Sequence, residues 1–172
     1  MTALQQFLTD IAPIESNQNA AQVAASSKDY FWYSPILTEL LDGKVGDVIV
    51  TPRSQADVIK VAAACARHRI NITVRGGGTG NYGQCVPMQG GIILDITQLN
   101  AVLRIEDGAV TCEAGILIAS LEQAVRADQV VSGGQEILMY PSTRDIATIG
   151  GFIAGGYAGA GSVRNGILKD AG

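Results

Sequence analysis

Aromatic side chains are scarce in this 172-residue chain: Phe, Trp and Tyr make up 5% of it, against 47% hydrophobic residues overall. The apolar content is mostly Ala, Ile and Val, and it suffices for the core of one ordinary domain. Charge is also scarce, at 16%, and that combination argues against intrinsic disorder. Twelve basic residues face sixteen acidic ones, for a net charge of −4. With no Lys/Arg cluster, the chain has no electrostatic footprint for nucleic acid or anionic lipid. Any phosphate it binds must be held by local geometry. One histidine, His68, and three cysteines without C-x-x-C spacing, Cys65, Cys85 and Cys112, are too few for a zinc site. No metal is expected, and the cysteines read as reduced thiols, with Cys65 and Cys112 buried. No apolar run is long enough to span a bilayer. The opening "MTALQQFLTDIAP" lacks a basic n-region and meets Asp10 early, so a cytoplasmic protein without a signal peptide is the expectation.

Glycine, by contrast, is abundant. Twenty-one are present, clustered at 76–91, 133–134 and 150–161, as in loops where the backbone itself approaches something closely. Residues 1–46 read as an N-terminal arm. "LQQFLTDIA" has the spacing of a short amphipathic helix, and "SKDYFWYSPILTELL" gathers most of the aromatics, read as a packed arm rather than a binding patch. From residue 47 the pattern sharpens. "DVIV" is a buried-strand run, and Ser54-x-x-Asp57 opens a helix with Val58, Val61, Ala62, Cys65 and Ala66 on one face. "INITV" and "GIILDI" read as strands, with a glycine loop between them. "AVLRIE" and "AVTCEA" flank Asp107-Gly108, a type I′ hairpin signal. "ILIASLEQAVRAD" then reads as a helix with Leu117, Leu121, Ala124 and Val125 facing inward. The order β-α-β-loop-β-β-β-α is α+β.

The loop "TVRGGGTGNYGQ" contains a literal G-x-G-x-x-G, Gly78 to Gly83. A dinucleotide fingerprint needs a helix starting within the motif and an acidic residue about 20 positions on. Here Pro87 and Gly90-Gly91 forbid that helix, and Asp95 comes too soon, inside the next strand. What remains is a nest, in which successive glycines let backbone N–H groups converge on an anion. Thr79 and Asn81 can add hydrogen bonds, while Arg75 supplies charge or braces the loop. The alternative is a long strand-to-strand loop with no ligand. The second stretch, "PSTRDIATIGGFIAGGYAGAGS", suits either a flat ring lying on exposed main chain or a packing seam of small residues. Ser142, Thr143 and Thr148 are placed to hydrogen-bond a ring edge or a pyrophosphate. Together the two stretches point to a nucleotide cofactor.

In order, Pro52-Arg53-Ser54 with its helix, "ITVRGGGTGNYGQ", "GGIILDITQLNAV", "VTCEAGILIASLEQAV" and "YPSTRDIATIGGFIAGGYAGAGSVRNGILKD" resemble the N-terminal part of an FAD-linked oxidase. The family is that of vanillyl-alcohol oxidase and p-cresol methylhydroxylase (PCMH), with the glycolate-oxidase and D-lactate-dehydrogenase-like flavoproteins. The resemblance covers residues 47–172. It implies a PCMH-type FAD-binding domain, a small β-α-β subdomain plus part of a larger mixed sheet, with FAD extended between them. The loop Arg75, Gly76, Gly77, Gly78, Thr79, Gly80, Asn81, Gly83 and Gln84 would wrap the pyrophosphate. Pro141, Ser142, Thr148, Ile149, Gly150 and Gly151 would border pyrophosphate and flavin, with Gly155, Gly161 and Ser162 at a following turn. Relatives with FAD on a loop histidine carry it near Thr79, and others use a cysteine within 141–151, where this chain has none. Non-covalent FAD is therefore implied. The resemblance further implies an oxidoreductase that passes a hydride from a small substrate, a hydroxy acid or alcohol, to flavin and then to an unknown acceptor. Family enzymes continue into a cap domain with most substrate-binding and acid–base residues, so a chain cut inside its domain is expected, and no catalytic residue is assigned. His68 reads as a surface residue. A non-catalytic nucleotide-binding subunit, or a sugar-nucleotide reductase of the same fold, remain the alternatives.

Overall fold

A computed structural model of the chain describes residues 1–30 and 32–168, which divide into two compact units with the boundary between Gln98 and Leu99. The first unit opens with helix α1 (Ala3–Ile11). Its start is a reciprocal cap in which the Thr2 hydroxyl accepts from Gln5 N at 3.2 Å and the Gln5 side chain accepts from Thr2 N at 2.8 Å. A short strand β1 (Glu15–Asn17) follows, then α2 (Ala20–Ser26) and α3 (Pro35–Leu41). Strand β2 (Val48–Thr51) leads into α4 (Gln55–His68), then β3 (Ile72–Arg75) and β4 (Ile92–Asp95). The strands form one sheet in the order β1-β2-β4-β3. Strand β4 lies between β2 and β3 and is parallel to both, whereas β1 runs antiparallel along β2.

Both β2 and β4 read as unbroken apolar runs because both of their faces are covered. Val48, Val50, Ile92 and Leu94 share a core with Phe7, Ile11, Val61, Ala64 and Cys65, contributed by α1 and α4. Ile49 and Ile93 point the other way and pack on Val23 of α2. The helix α4 starts as the sequence indicates, with the Ser54 hydroxyl accepting from Asp57 N at 3.1 Å. The Asp57 carboxylate does not return the bond to Ser54, taking Arg53 N at 3.0 Å instead. Its buried face is Val61, Ala64 and Cys65. Ala62 and Ala66, expected on that face, are exposed, because α1 packs on the neighbouring stripe.

The second unit begins with the hairpin β5 (Val102–Glu106) and β6 (Ala109–Cys112). Its turn is not type I′, which requires positive φ at both central residues. Among the described residues Arg69 is the one non-glycine with positive φ, so of the pair Asp107-Gly108 only Gly108 qualifies, at +73°. Helix α5 (Ile118–Ala127) buries Ile118, Leu121, Glu122 and Val125. The inward stripe thus starts at Ile118 rather than Leu117, which is the N-cap residue. Helices α6 (Ile149–Gly155) and α7 (Ser162–Asn165) complete the unit, with Ile118, Met139, Ala147 and Phe152 as its core. Buried Glu122 joins Arg126 of the same helix to the backbone N–H of Ile137, 2.7 Å away.

The N-terminal arm is more ordered than its sequence indicated, and its aromatics are less buried. Tyr30 and Trp32 are largely exposed, which corrects the expectation of a packed aromatic arm for these two; Phe31 lies outside the described residues. Among the described residues of this arm, α1 and α2 contribute apolar core residues, β1 pairs with β2, and α3 buries none. His68 is likewise not a plain surface residue. Its side chain is mostly covered, and its Nε2 lies 2.9 Å from the Asp10 carboxylate, which also takes Arg67 at 2.6 Å.

Candidate functional site

Strand β3 delivers the chain to the carboxyl edge of the parallel strands, the edge at which open α/β sheets bind ligands. There Arg75 ends the strand and Gly76 begins the glycine loop. Among the described residues, no hydrogen bond takes up the backbone N–H of any residue from Gly76 to Asn81, nor the Thr79 hydroxyl or the Asn81 amide. Gly76 to Gly80 are half-buried and Asn81 is exposed, so these donors are open to water or to a ligand. The loop is nonetheless fixed. Gly78 adopts φ +62°, and a Cβ there would sit 2.2 Å from the Arg75 guanidinium. A Cβ on Gly80 would sit 2.5 Å from the Gln84 side-chain oxygen, which accepts from Tyr82 N at 3.0 Å.

Arg75 braces this loop. Its Nη1 donates to the carbonyls of Ser26 (3.0 Å) and Lys28 (2.7 Å), and lies 3.0 Å from Cys85 Sγ. Cys85 is buried, and its Sγ donates to the Asp29 carboxylate at 2.7 Å. Burial, reinforced by that carboxylate, pushes the thiol up to about 12. Cys85 is therefore an integral part of the loop's base, a role its sequence context did not reveal. Nor did the sequence single out Asp29, which sits 54 positions upstream of its partner Gly83; nothing local marks such a long-range clasp.

The second glycine-rich segment is built differently, because its amides at Ile149, Gly150 and Gly151 are already used. Ile149 N donates to Ile116 O at 3.0 Å, Gly150 N to Ala114 O at 2.9 Å, and Gly151 N to the Thr148 hydroxyl at 3.3 Å. Thr148 is 1% exposed and caps α6. Gly150 has a packing reason to be glycine, since a Cβ would meet the Ala114 Cβ at 2.7 Å. At Gly155 a Cβ would meet the Tyr157 ring, and Gly161, at φ +93°, passes within 2.0 Å (Cβ position) of Leu138 O. The Ser162 hydroxyl accepts from Gly159 N at 2.7 Å. Pro141 has no N–H, and the Ser142 and Thr143 hydroxyls take part in no hydrogen bond among the described residues. This segment offers a shaped small-residue surface with two spare hydroxyls; the first loop offers a row of N–H donors. Among the described residues no group of three His, Cys, Asp or Glu could hold a metal ion, and no helix is long and apolar enough to cross a membrane.

A row of spare backbone donors at the carboxyl edge of a parallel sheet is an arrangement that can accept an anion. Residues 46–171 match the family described as FAD binding domain, and the chain belongs to that family. FAD is its cofactor, and the uncommitted amides of the glycine loop fit the diphosphate of that group. The glycolate oxidase subunit GlcD of Bacillus subtilis is 29% identical over 126 residues, 72% of this chain and 26% of that protein. The D-2-hydroxyglutarate dehydrogenase of Escherichia coli is 36% identical over 130 residues, 72% of this chain and 12% of that protein. Among solved structures, alkyldihydroxyacetonephosphate synthase matches with a TM-score of 0.78 at 20% identity, covering 98% of this chain and 34% of that one. A substrate complex of p-cresol methylhydroxylase matches with a TM-score of 0.61 at 17% identity, covering 74% of this chain and 25% of that one. These likenesses carry the PCMH-type α+β fold. The chain spans about a quarter or less of the two curated relatives' length.

Proposed function

We propose that this chain is the FAD-binding portion of a flavoprotein oxidoreductase that oxidises a small hydroxy acid or alcohol by hydride transfer to flavin. The row of uncommitted N–H groups from Gly76 to Asn81 is the observation that carries the FAD site. Relatives named glycolate oxidase, D-2-hydroxyglutarate dehydrogenase and D-lactate dehydrogenase support the substrate class. The cofactor supplies the redox chemistry, and the protein binds and orients it.

In this reading the loop from Arg75 to Gln84 receives the pyrophosphate, with Thr79 and Asn81 adding side-chain donors. Pro141, Ser142 and the small residues from Thr148 to Gly151 form the bed for the flavin end, with Gly155, Gly161 and Ser162 shaping the following turn. With the amides of Ile149, Gly150 and Gly151 committed, that part of the bed acts by shape, beside the Ser142 hydroxyl. FAD is held non-covalently, since Thr79 cannot form the bond a histidine forms.

The test is to reconstitute the purified chain with FAD, remove free flavin and record the visible spectrum before and after acid precipitation. A protein-bound flavin released into the acid supernatant is expected. Absence of bound flavin would overturn the FAD site; flavin retained on the precipitate would overturn non-covalent attachment. Reduction of the bound flavin by a panel of 2-hydroxy acids, in the whole protein, tests the substrate class. A whole protein that binds FAD but is reduced by none of them would overturn the hydroxy-acid reading, and one reduced by no alcohol either would favour a nucleotide-binding subunit.

A further inference from the structure

We propose that Asp29, upstream of the stretch matching the FAD-binding family, is the positioning residue that holds the glycine loop in shape for the pyrophosphate. The inference rests on the FAD site proposed above. Asp29 is 8% exposed, and its carboxylate gathers three donors from the return limb of the loop. Oδ2 accepts from Gly83 N at 2.7 Å, while Oδ1 accepts from Cys85 Sγ at 2.7 Å and Cys85 N at 3.3 Å. The next residue grips the outgoing limb, with Tyr30 N donating to Gly78 O at 2.7 Å. Asp29 is itself held from behind, its N–H donating to the Tyr33 hydroxyl at 2.8 Å. Arg75 closes the base through Ser26 O, Lys28 O and Cys85 Sγ.

The consequence is preorganisation. A glycine-rich loop has the most backbone freedom to lose, and free N–H groups in it would otherwise find nearby acceptors. Pinning Gly78 on one side and Gly83 and Cys85 on the other fixes both ends of the stretch that carries the spare donors. Binding then costs less ordering. Charge alone gives the opposite expectation, because a carboxylate near a diphosphate repels it. The two effects therefore differ in sign on removal of the charge, and that makes the proposal decidable.

Asp29→Asn keeps the size but turns one acceptor oxygen into a donor, which cannot receive Gly83 N–H or the thiol. FAD titrations of the unaltered chain and this variant, followed by flavin fluorescence, are expected to give about tenfold weaker binding for the variant. Hydrogen exchange in the FAD-free chains is expected to quicken at the Gly83, Cys85, Val86 and Tyr30 amides and to stay unchanged in β2 and β4. Tyr33→Phe, which removes the acceptor of the Asp29 N–H, is expected to shift both readouts the same way by less. Equal or tighter FAD binding by Asp29→Asn, or unchanged exchange at Tyr30 and Val86, would overturn the role of Asp29. Failure of the unaltered chain to bind FAD would overturn the proposed site itself, and the two outcomes are separate.

Discussion

Gly78 is the residue on which the loop's conformation turns. Its φ of +62° is one that L side chains adopt rarely, and the Arg75 guanidinium fills the place of a Cβ. Gly78→Ala is expected to displace Arg75 and lower stability by about 1–3 kcal/mol, read from the urea midpoint, and to weaken FAD binding with it. The thiols give a second prediction at this scale. Burial raises Cys65 to about 11 and Cys85 to about 12, from an ordinary 9.0. Both therefore keep their proton in the folded chain after the unfolded chain has lost it. Their contribution to stability is complete below pH 9 and is lost progressively between about 9 and 12. Alkylation of the native chain near neutral pH is expected to mark partly exposed Cys112 first, with Cys65 and Cys85 reacting only on unfolding. Rapid labelling of Cys85 would contradict the closed loop base.

At the scale of elements, the pairing of α1 with α4 is the join that ties the N-terminal arm to the sheet unit. Its apolar part is Phe7 and Ile11 on Val61, Ala64 and Cys65. Its polar part is Asp10, whose carboxyl is held below its usual 3.8 by hydrogen bonds from His68 and Arg67. A depressed carboxyl contributes stability above that value and loses it as pH falls through the folded-state pKa. Asp10→Asn is expected to lower stability near neutral pH and to flatten the acid limb of the stability–pH curve, as thermal melts across pH would show. Phe7→Ala is expected to cost about 3–5 kcal/mol, by the same denaturation measurement. These elements were also the most legible in the sequence. Capping residues and apolar runs mark β2, α4, β3, β4, the hairpin and α5 locally, so their order could be read directly. The missed details depend on neighbours. Which alanines of α4 are buried depends on where α1 lies, and β1, with three polar residues, has no pattern until β2 pairs with it.

For the whole molecule, the two glycine-rich stretches look alike in sequence and differ in the fold. In the first, the amides from Gly76 to Asn81 have no acceptor among the described residues; in the second, those of Ile149, Gly150 and Gly151 are consumed by Ile116, Ala114 and Thr148. The glycine count and the strand-then-no-helix order were enough to locate the loop that follows β3. Whether an amide is spare is a long-range property, set by Ala114 in one case and by Asp29 in the other, and no local spacing carries it. In the proposed site, the net charge of −4 and the commitment of Arg75 to carbonyls leave dipoles, not a basic field, to hold the phosphates. FAD affinity is accordingly expected to change less than about threefold between low salt and 0.5 M salt, a titration that a basic site would fail. The most direct measurement of the central claim is a two-dimensional amide NMR titration of the chain with FAD, repeated with inorganic pyrophosphate. Both ligands are predicted to shift the amides of Gly76 to Asn81, with those of Ile149 to Gly151 responding to FAD alone and more weakly. Shifts led by Ile149 to Gly151, with the glycine loop silent to pyrophosphate, would contradict it.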